Sequence, residues 1–220
     1  MEPEFRNLFV LESDVIQRMR RLNQRYVVGK FWETYLRLFV HPPDAVHKIP
    51  GYLHPLEQSF LYWLARRVPA DGLALEVGSF MGKSSACLAA GLHQNARLAC
   101  IDTWLNDAMP YDEKSDVMEE FLHNTSSYQD TIETHRGTSA EVAAKWNRPI
   151  DLLFIDGDHT YEGCSTDIKS WLPFVRRGGW VAFHDTGEIA VWQAISELFP
   201  KAHRRSARDA WSIFAALKDN

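Results

Sequence analysis

LALEVGSFMGKSSACLAAGL, residues 73–92, opens with a short apolar run ending in an acid, passes through a small-residue loop and continues with a helical pattern. That succession reads as strand, tight turn and helix. Gly78 and Gly82 let the backbone turn sharply and come close to a ligand. Ser84 and the free amides of the following helix N-terminus can hold an anionic group. The string tempts a nucleotide-loop reading, but it has one residue too few between Gly78 and Gly82-Lys83-Ser84 for that motif. Phe80 also stands where a dinucleotide fingerprint needs its second glycine. The loop alone is therefore compatible with a plain strand-to-helix connection, and the segments around it have to decide.

Downstream, the alternation repeats. ARLACID (96–102) reads as a strand, residues 113–124 as a helix, IETHRG (132–137) as strand-like, 139–146 as a helix and DLLFID (151–156) as a strand. A helix over 163–175, an Arg-Arg-Gly-Gly turn at 176–179, the strand WVAFHD, a helix over 189–199 and a closing strand around 211–217 complete the pattern. Repeated βα units imply a parallel sheet with helices on both faces. The continuously apolar LLFI (152–155) and WVAF (180–183) fit strands covered on both sides.

Upstream, Val15, Met19, Leu22 and Tyr26 have helical spacing, and Phe31, Trp32, Tyr35 and Phe39 continue it. Pro42, Pro43, Pro50 and Gly51 interrupt the pattern, and a new helix is expected to begin near His54-Pro55. Residues 1–50 are read as a helical extension or cap and 51–220 as the main domain. The aromatic run could serve as a lid or pack between two subunits.

Composition narrows the partners. The 220 residues hold 45% hydrophobic and 24% charged residues, as an ordinary globular chain does. A net charge of -5 offers no basic footprint, so nucleic acid is not expected as a partner. Arg204, Arg205 and Arg208 read as a solvated connection. Cys87, Cys100 and Cys164 lack metal-ligand spacing and read as reduced, buried thiols. Neither a signal sequence nor a membrane span is visible, which points to a cytoplasmic protein.

Acids mark the strand ends, where ligands of parallel sheets bind. Asp102 ends the second strand, at the position where a doubly wound fold places an acid on ribose hydroxyls. Asp156, Asp158 and His159 gather at one later strand end, and His184 with Asp185 at another. Oxygen-rich sites of this kind suit Mg²⁺, Mn²⁺ or Ca²⁺. A histidine with its usual pKa of ~6.5 is mostly neutral at physiological pH and can accept a proton. His159 is the candidate catalytic base, with Asp158 to orient it or act in its place.

Taken in order, EVGSFMGKSS, IDTW, Gly137-Thr138-Ser139, FIDGDHTYEG and GGWVAFHDT resemble the class I methyltransferases. The pairing of D-G-D-H-x-Y with H-D-T resembles, more narrowly, a bacterial family that includes metal-dependent O-methyltransferases of natural-product sugars and aglycones. The likeness covers roughly residues 52–217. It implies a Rossmann-like α/β fold: a mostly parallel seven-stranded sheet with an antiparallel last strand. It also implies S-adenosylmethionine as cofactor, a small-molecule methyl acceptor and Mg²⁺ or another divalent cation, and relatives often form homodimers. By that resemblance Glu76, Gly78 and Ser84 line the methionine end, with Ser79, Phe80 and Gly82 in the same loop. Asp102 binds ribose beside Thr103, and Thr138 or Ser139 borders adenine; Trp104 either flanks the nucleoside or plugs the apolar interior on the helix side. Asp156 and Asp185 bind the metal, with Thr186 at the neighbouring ligand position, and Asp156 also faces the cofactor amine. Catechol-type relatives carry a lysine where His159 stands and an amide at the last metal position, so a catechol acceptor is not assigned.

Other readings stay open at this point. The enzyme could work without metal on an amine or hydroxyl, or the chain could be a non-catalytic S-adenosylmethionine-binding module.

Overall fold

The computed structural model describes residues 30–106, 115–199 and 208–218. By internal contacts the chain divides into two compact units, Met1–Phe39 and Val40–Asn220. In the first, residues 30–39 are helical (α1), with Trp32 stacked on Tyr35 at 5.6 Å and Tyr35 against Phe39. The helical reading of residues 8–29 lies outside the described residues.

The larger unit begins with a short helix, α2 (Asp44–His47), and then α3 (Pro55–Ala65), which starts where expected. His54 caps it: its ring nitrogen accepts from the Leu56 amide, while Glu57 reaches back to the His54 N–H at 2.7 Å. Pro55 fits the first helical turn because its missing N–H has no partner there in any case.

Seven strands follow: β1 (Leu73–Val77), β2 (Arg97–Asp102), β3 (Ile132–Arg136), β4 (Ile150–Ile155), β5 (Val175–Phe183), β6 (Arg208–Ala210) and β7 (Ile213–Leu217). Helices α4 (Lys83–Gly91), α5 (Met118–Asn124), α6 (Ser139–Ala143), α7 (Tyr161–Trp171) and α8 (Ile189–Leu198) connect them. The sheet order is β3-β2-β1-β4-β5-β7-β6, a Rossmann-like arrangement in which β7 runs antiparallel to β5 and β6. No helix among the described residues is long and apolar enough to cross a membrane.

Central strands β1 and β4 are buried throughout, which is why their sequences are apolar without alternation. Leu75, Val77, Leu153, Ile155, Val181 and Phe183 meet Ile168 and Trp171 of α7 and Ala194 and Ile195 of α8 on one face. Intervening residues point to the opposite face, where α3 packs on α4. Glu76 is among them, a charged side chain inside a strand whose other residues are apolar.

One local expectation is corrected. Arg176–Gly179 is not a turn before a strand but lies inside β5. Pairing with β4 jumps from Ile150↔Val175 to Leu152↔Trp180, so the extra residues bulge out of the ladder. Gly178 and Gly179 then exchange backbone bonds with Lys218 beyond β7.

Candidate active site

Backbone bonds beyond the strand ends set the functional segments side by side. Gly137 N–H donates to Asp102, Gly78 to Ile101, Asp156 to Val77 and His184 to Ile155, at 2.8–3.0 Å. The first residues after β3, β1, β4 and β5 thus form a row along the carboxyl edge, at the point where chain order reverses between β1 and β4. The row permits little bulk at Gly78: its φ is +84° and a Cβ there would sit 2.0 Å from the Asp156 carbonyl oxygen.

A cavity of about 780 Å³ opens over this edge. Of the residues singled out from sequence, Gly78, Ser79, Phe80, Ser84, Asp102, Thr103, Thr138, Ser139, Asp156, Asp158, His159 and Asp185 line it. Glu76, Gly82, Trp104 and Thr186 do not. Gly82 is the N-cap of α4. Trp104 is fully buried against Phe121, its indole N–H held by the Phe80 carbonyl at 3.1 Å, so it supports the loop from beneath. Phe80, Trp104 and Asp185 all adopt left-handed backbone, uncommon without glycine, and Phe80 and Asp185 line the cavity.

Asp102 organises the β2 end of the cavity. Its Oδ2 accepts the amides of Ser79 and Phe80, each at 2.8 Å, and its Oδ1 that of Trp104 at 2.7 Å. One carboxylate therefore clamps the glycine loop to the end of β2 while it faces the cavity. Across the turn after β3, Thr138 caps α6 in a reciprocal box with Glu141.

Glu76 lies beneath the loop, fully buried. Its Oε2 accepts from the hydroxyls of Ser79 at 2.8 Å and Ser85, and Oε1 has no partner among the described residues. Burial pushes its carboxyl up to about 7; the hydroxyls of Ser84, Ser85 and Ser79 hold it down in part, and the charge of Asp156 adds to the rise. A free, buried carboxylate oxygen under a glycine turn is a receptor for a cation or hydrogen-bond donor.

The second cluster joins β4 to β5. Ligand atoms of Asp156, His184 and Asp185 lie within 4.8 Å of one another. His184 Nδ1 is 3.0 Å from Asp156 Oδ1 and 3.1 Å from Asp185 Oδ2; its Nε2 faces Glu57 Oε1 at 3.4 Å and Ser212 Oγ at 3.3 Å. Although burial works against the charged form, Asp156, Asp185 and Glu57 push the imidazole up to about 12. The Thr186 hydroxyl donates to the Ser212 carbonyl at 2.8 Å, and His184 stands as a third ligand-bearing side chain beside the two aspartates.

His159 is half exposed, with Nε2 3.2 Å from Asp185 and 3.8 Å from Asp156. The Asp156 carboxylate holds it above the ordinary imidazole range, with burial opposing and Asp185 adding to the rise. Asp158 does not orient it. Both Asp158 oxygens serve Thr160, from its amide at 2.8 Å and its hydroxyl at 3.0 Å, shaping the start of α7. Sequence reasoning also missed Glu57 and Tyr52, the latter lining the cavity and stacked on Phe80 with ring centroids 6.2 Å apart. Neither carries a motif, because each is brought in from the segment before β1.

The fold is that of a class I methyltransferase, and the comparisons agree. Residues 75–186 match the family model described as a methyltransferase domain, and the chain belongs to that family. Among curated proteins, uncharacterized protein y4gI of Sinorhizobium fredii is 28% identical over 133 residues. That alignment covers 56% of this chain but only 14% of y4gI. Among solved structures, the O-methyltransferase TomG of Streptomyces achromogenes, in complex with SAM, superposes with a TM-score of 0.64 at 18% identity, covering 88% of this chain and 96% of TomG. An O-methyltransferase of Bacillus cereus in complex with SAH gives 0.60 at 17% identity, with 87% and 97% covered. At such identities the likeness is one of fold.

Proposed function

We propose that the chain is an S-adenosylmethionine-dependent O-methyltransferase acting on a small hydroxylated molecule, a sugar or natural-product intermediate, with a divalent cation held at Asp156, His184 and Asp185. The observation that carries this reading is one cavity reaching from Asp102, across the glycine turn, to Asp156, Asp185 and His159. In this reading Asp102 meets the ribose hydroxyls, Asp156 offers negative charge to the sulfonium and ammonium, and Glu76 backs the loop beneath them. The cofactor supplies the methyl group.

The acceptor oxygen must lie in line behind that methyl carbon, so positioning accounts for much of the rate. As the carbon–oxygen bond forms, the carbon–sulfur bond breaks, and the hydroxyl proton passes to a base. His159 Nε2, at the cavity wall beside Asp185, is the acceptor for that proton. Its neighbours favour its charged form, so it accepts best when the charges of Asp156 and Asp185 are offset.

Two carboxylates and an imidazole converging this closely suit a divalent cation, and the nitrogen donor widens the choice from Mg²⁺ towards Mn²⁺. Such an ion stabilises a developing oxyanion on the acceptor. The proximity of His184 Nδ1 to both aspartates favours a second reading, in which a protonated His184 itself neutralises them and no metal is used. Titrating S-adenosylhomocysteine-loaded protein with Mn²⁺ separates the two. Saturable binding that is lost in Asp156→Asn and Asp185→Asn supports the cation, and no binding to the wild type leaves the metal-free methyltransferase.

A further inference from the structure

Trp211 presents an exposed indole close to the acidic cluster, on backbone that does not suit it. It shares with Ser212 the turn between β6 and β7, and its φ is +58°. Glycine takes that left-handed conformation without cost, whereas a bulky side chain there is an outlier that points to a use for the side chain. The turn itself is pinned. Ser212 donates its N–H to Glu57 and accepts the Thr186 N–H through its carbonyl, each at 3.0 Å. Because Phe183 pairs with Phe214, the turn stands at the carboxyl edge of the sheet, and the Ser212 hydroxyl lies 3.3 Å from His184 Nε2.

Two ring stacks meet at this edge. Trp211 lies flat on His54, with centroids 4.3 Å apart and planes 8° apart, yet is 70% exposed, so one indole face is covered and the other is open. The His54 ring is itself held, accepting the Leu56 amide as the cap of α3. Two residues earlier, Tyr52 lines the cavity, stacks on Phe80 at 23° between planes and is 76% exposed. Leu53 between them is buried. In extended chain, residues two apart leave on the same side at a spacing of roughly 7 Å, which sets the two stacks next to each other. Single exposed aromatics are ordinary on a protein surface. Here two are backed by a second ring each and fixed in orientation, which lowers the ordering cost of docking a further ring.

We propose that Tyr52 and Trp211 form a platform for the methyl acceptor and select one whose hydroxyl is carried on a flat aromatic ring. The inference rests on the methyltransferase reading above and narrows its acceptor. Both existing stacks are close to coplanar, and a flat ring extends such a stack with full contact, whereas a puckered ring touches it only in part. An acceptor seated there lies beside the segment of cavity wall that holds His159 and Asp185.

The test titrates the full chain, saturated with S-adenosylhomocysteine, with 2-naphthol, with decahydro-2-naphthol and with methyl α-L-rhamnopyranoside. The first two share a carbon skeleton and a hydroxyl, and only the first is flat. Wild type is expected to bind 2-naphthol about tenfold tighter than its saturated counterpart, and tighter than the sugar. Trp211→Leu should shrink the naphthol preference to roughly twofold, and Trp211→Phe, which keeps a ring, should restore most of it. Tyr52→Leu should shrink it likewise and decides the matter if Trp211→Leu does not fold. Absent or equal binding of the two naphthols by loaded wild type, tighter binding of the sugar, or a preference unchanged in a folded Trp211→Leu overturns the platform and leaves the methyltransferase reading intact. Wild type that fails to bind S-adenosylhomocysteine overturns that reading, and the platform with it.

Discussion

His184 Nδ1 stands 3.0 Å from Asp156 Oδ1, although the two residues leave different strands. The contact follows from the parallel pairing of β4 with β5, which puts Ile155 opposite Phe183 and carries the next residues past the sheet edge together. A nitrogen wedged between two carboxylates either ligates a cation or substitutes for one. If it ligates, Mn²⁺ bound to the protein should show nitrogen coupling in electron spin-echo spectra. His184→Gln should abolish that coupling, and Asp156→Asn should weaken Mn²⁺ binding by about tenfold or more. Bound Mn²⁺ without nitrogen coupling would remove His184 from the ligand set.

Behind His184, Glu57 is 2% exposed and bonds the backbone N–H groups of His54 and Ser212 while facing the imidazole. Glu57→Ala leaves the His54 and Ser212 amides without this acceptor and the buried imidazole without the carboxylate at its Nε2. It should lower unfolding free energy by about 3 kcal/mol in denaturant titrations. A loss within experimental error would show that Glu57 does not support the site.

Glu76 makes stability depend on pH in a stated direction. The folded chain keeps its proton up to about 7, whereas an unfolded glutamate releases it near ~4.3. Between those values the native state binds more protons, so stability falls as pH rises from ~4.5 to 7 and levels off above. The loss is on the order of 3 kcal/mol for the ligand-free protein. Glu76→Gln, which resembles the protonated acid, should flatten most of that slope. Asp167, raised for the same reason, leaves a smaller one of the same sign. A wild-type profile that is flat or rising between pH 5 and ~7 would contradict the burial argument.

Gly78→Ala should damage fold and site together. Both the φ of +84° and the 2.0 Å approach to the Asp156 carbonyl resist a side chain. Melting and ligand titration should show a loss of about 2 kcal/mol or more in stability with a displaced Asp156. A variant with unaltered melting and binding would mean the row of strand ends is less tightly set than the backbone bonds indicate.

How much of this was legible depended on how locally each feature is encoded. LALEV and LLFI announce buried parallel strands because both faces are covered, so the apolar run is continuous. β6 has only three residues at the sheet edge, too few to form a pattern, and went unseen. Arg176–Gly179 looked like a turn because a bulge uses the same glycines. In the site, Asp102, Asp156 and Asp185 were readable as strand-end acids, and His159 by its nearness to them. A register position says nothing of where the Thr186 hydroxyl donates; it donates to the Ser212 carbonyl. Trp104, open in the sequence between a nucleoside contact and an apolar plug, is fully buried. Glu57 and Tyr52 carried no signal at all, since the packing of the segment before β1 brings them in.

Isothermal titration of the wild type and Asp102→Ala with S-adenosylhomocysteine tests the central claim most directly. The account predicts saturable binding by wild type and an affinity at least roughly tenfold weaker in the variant, which loses both the ribose partner and the clamp on the Ser79–Phe80 amides. A well-folded wild type that gives no binding would contradict it.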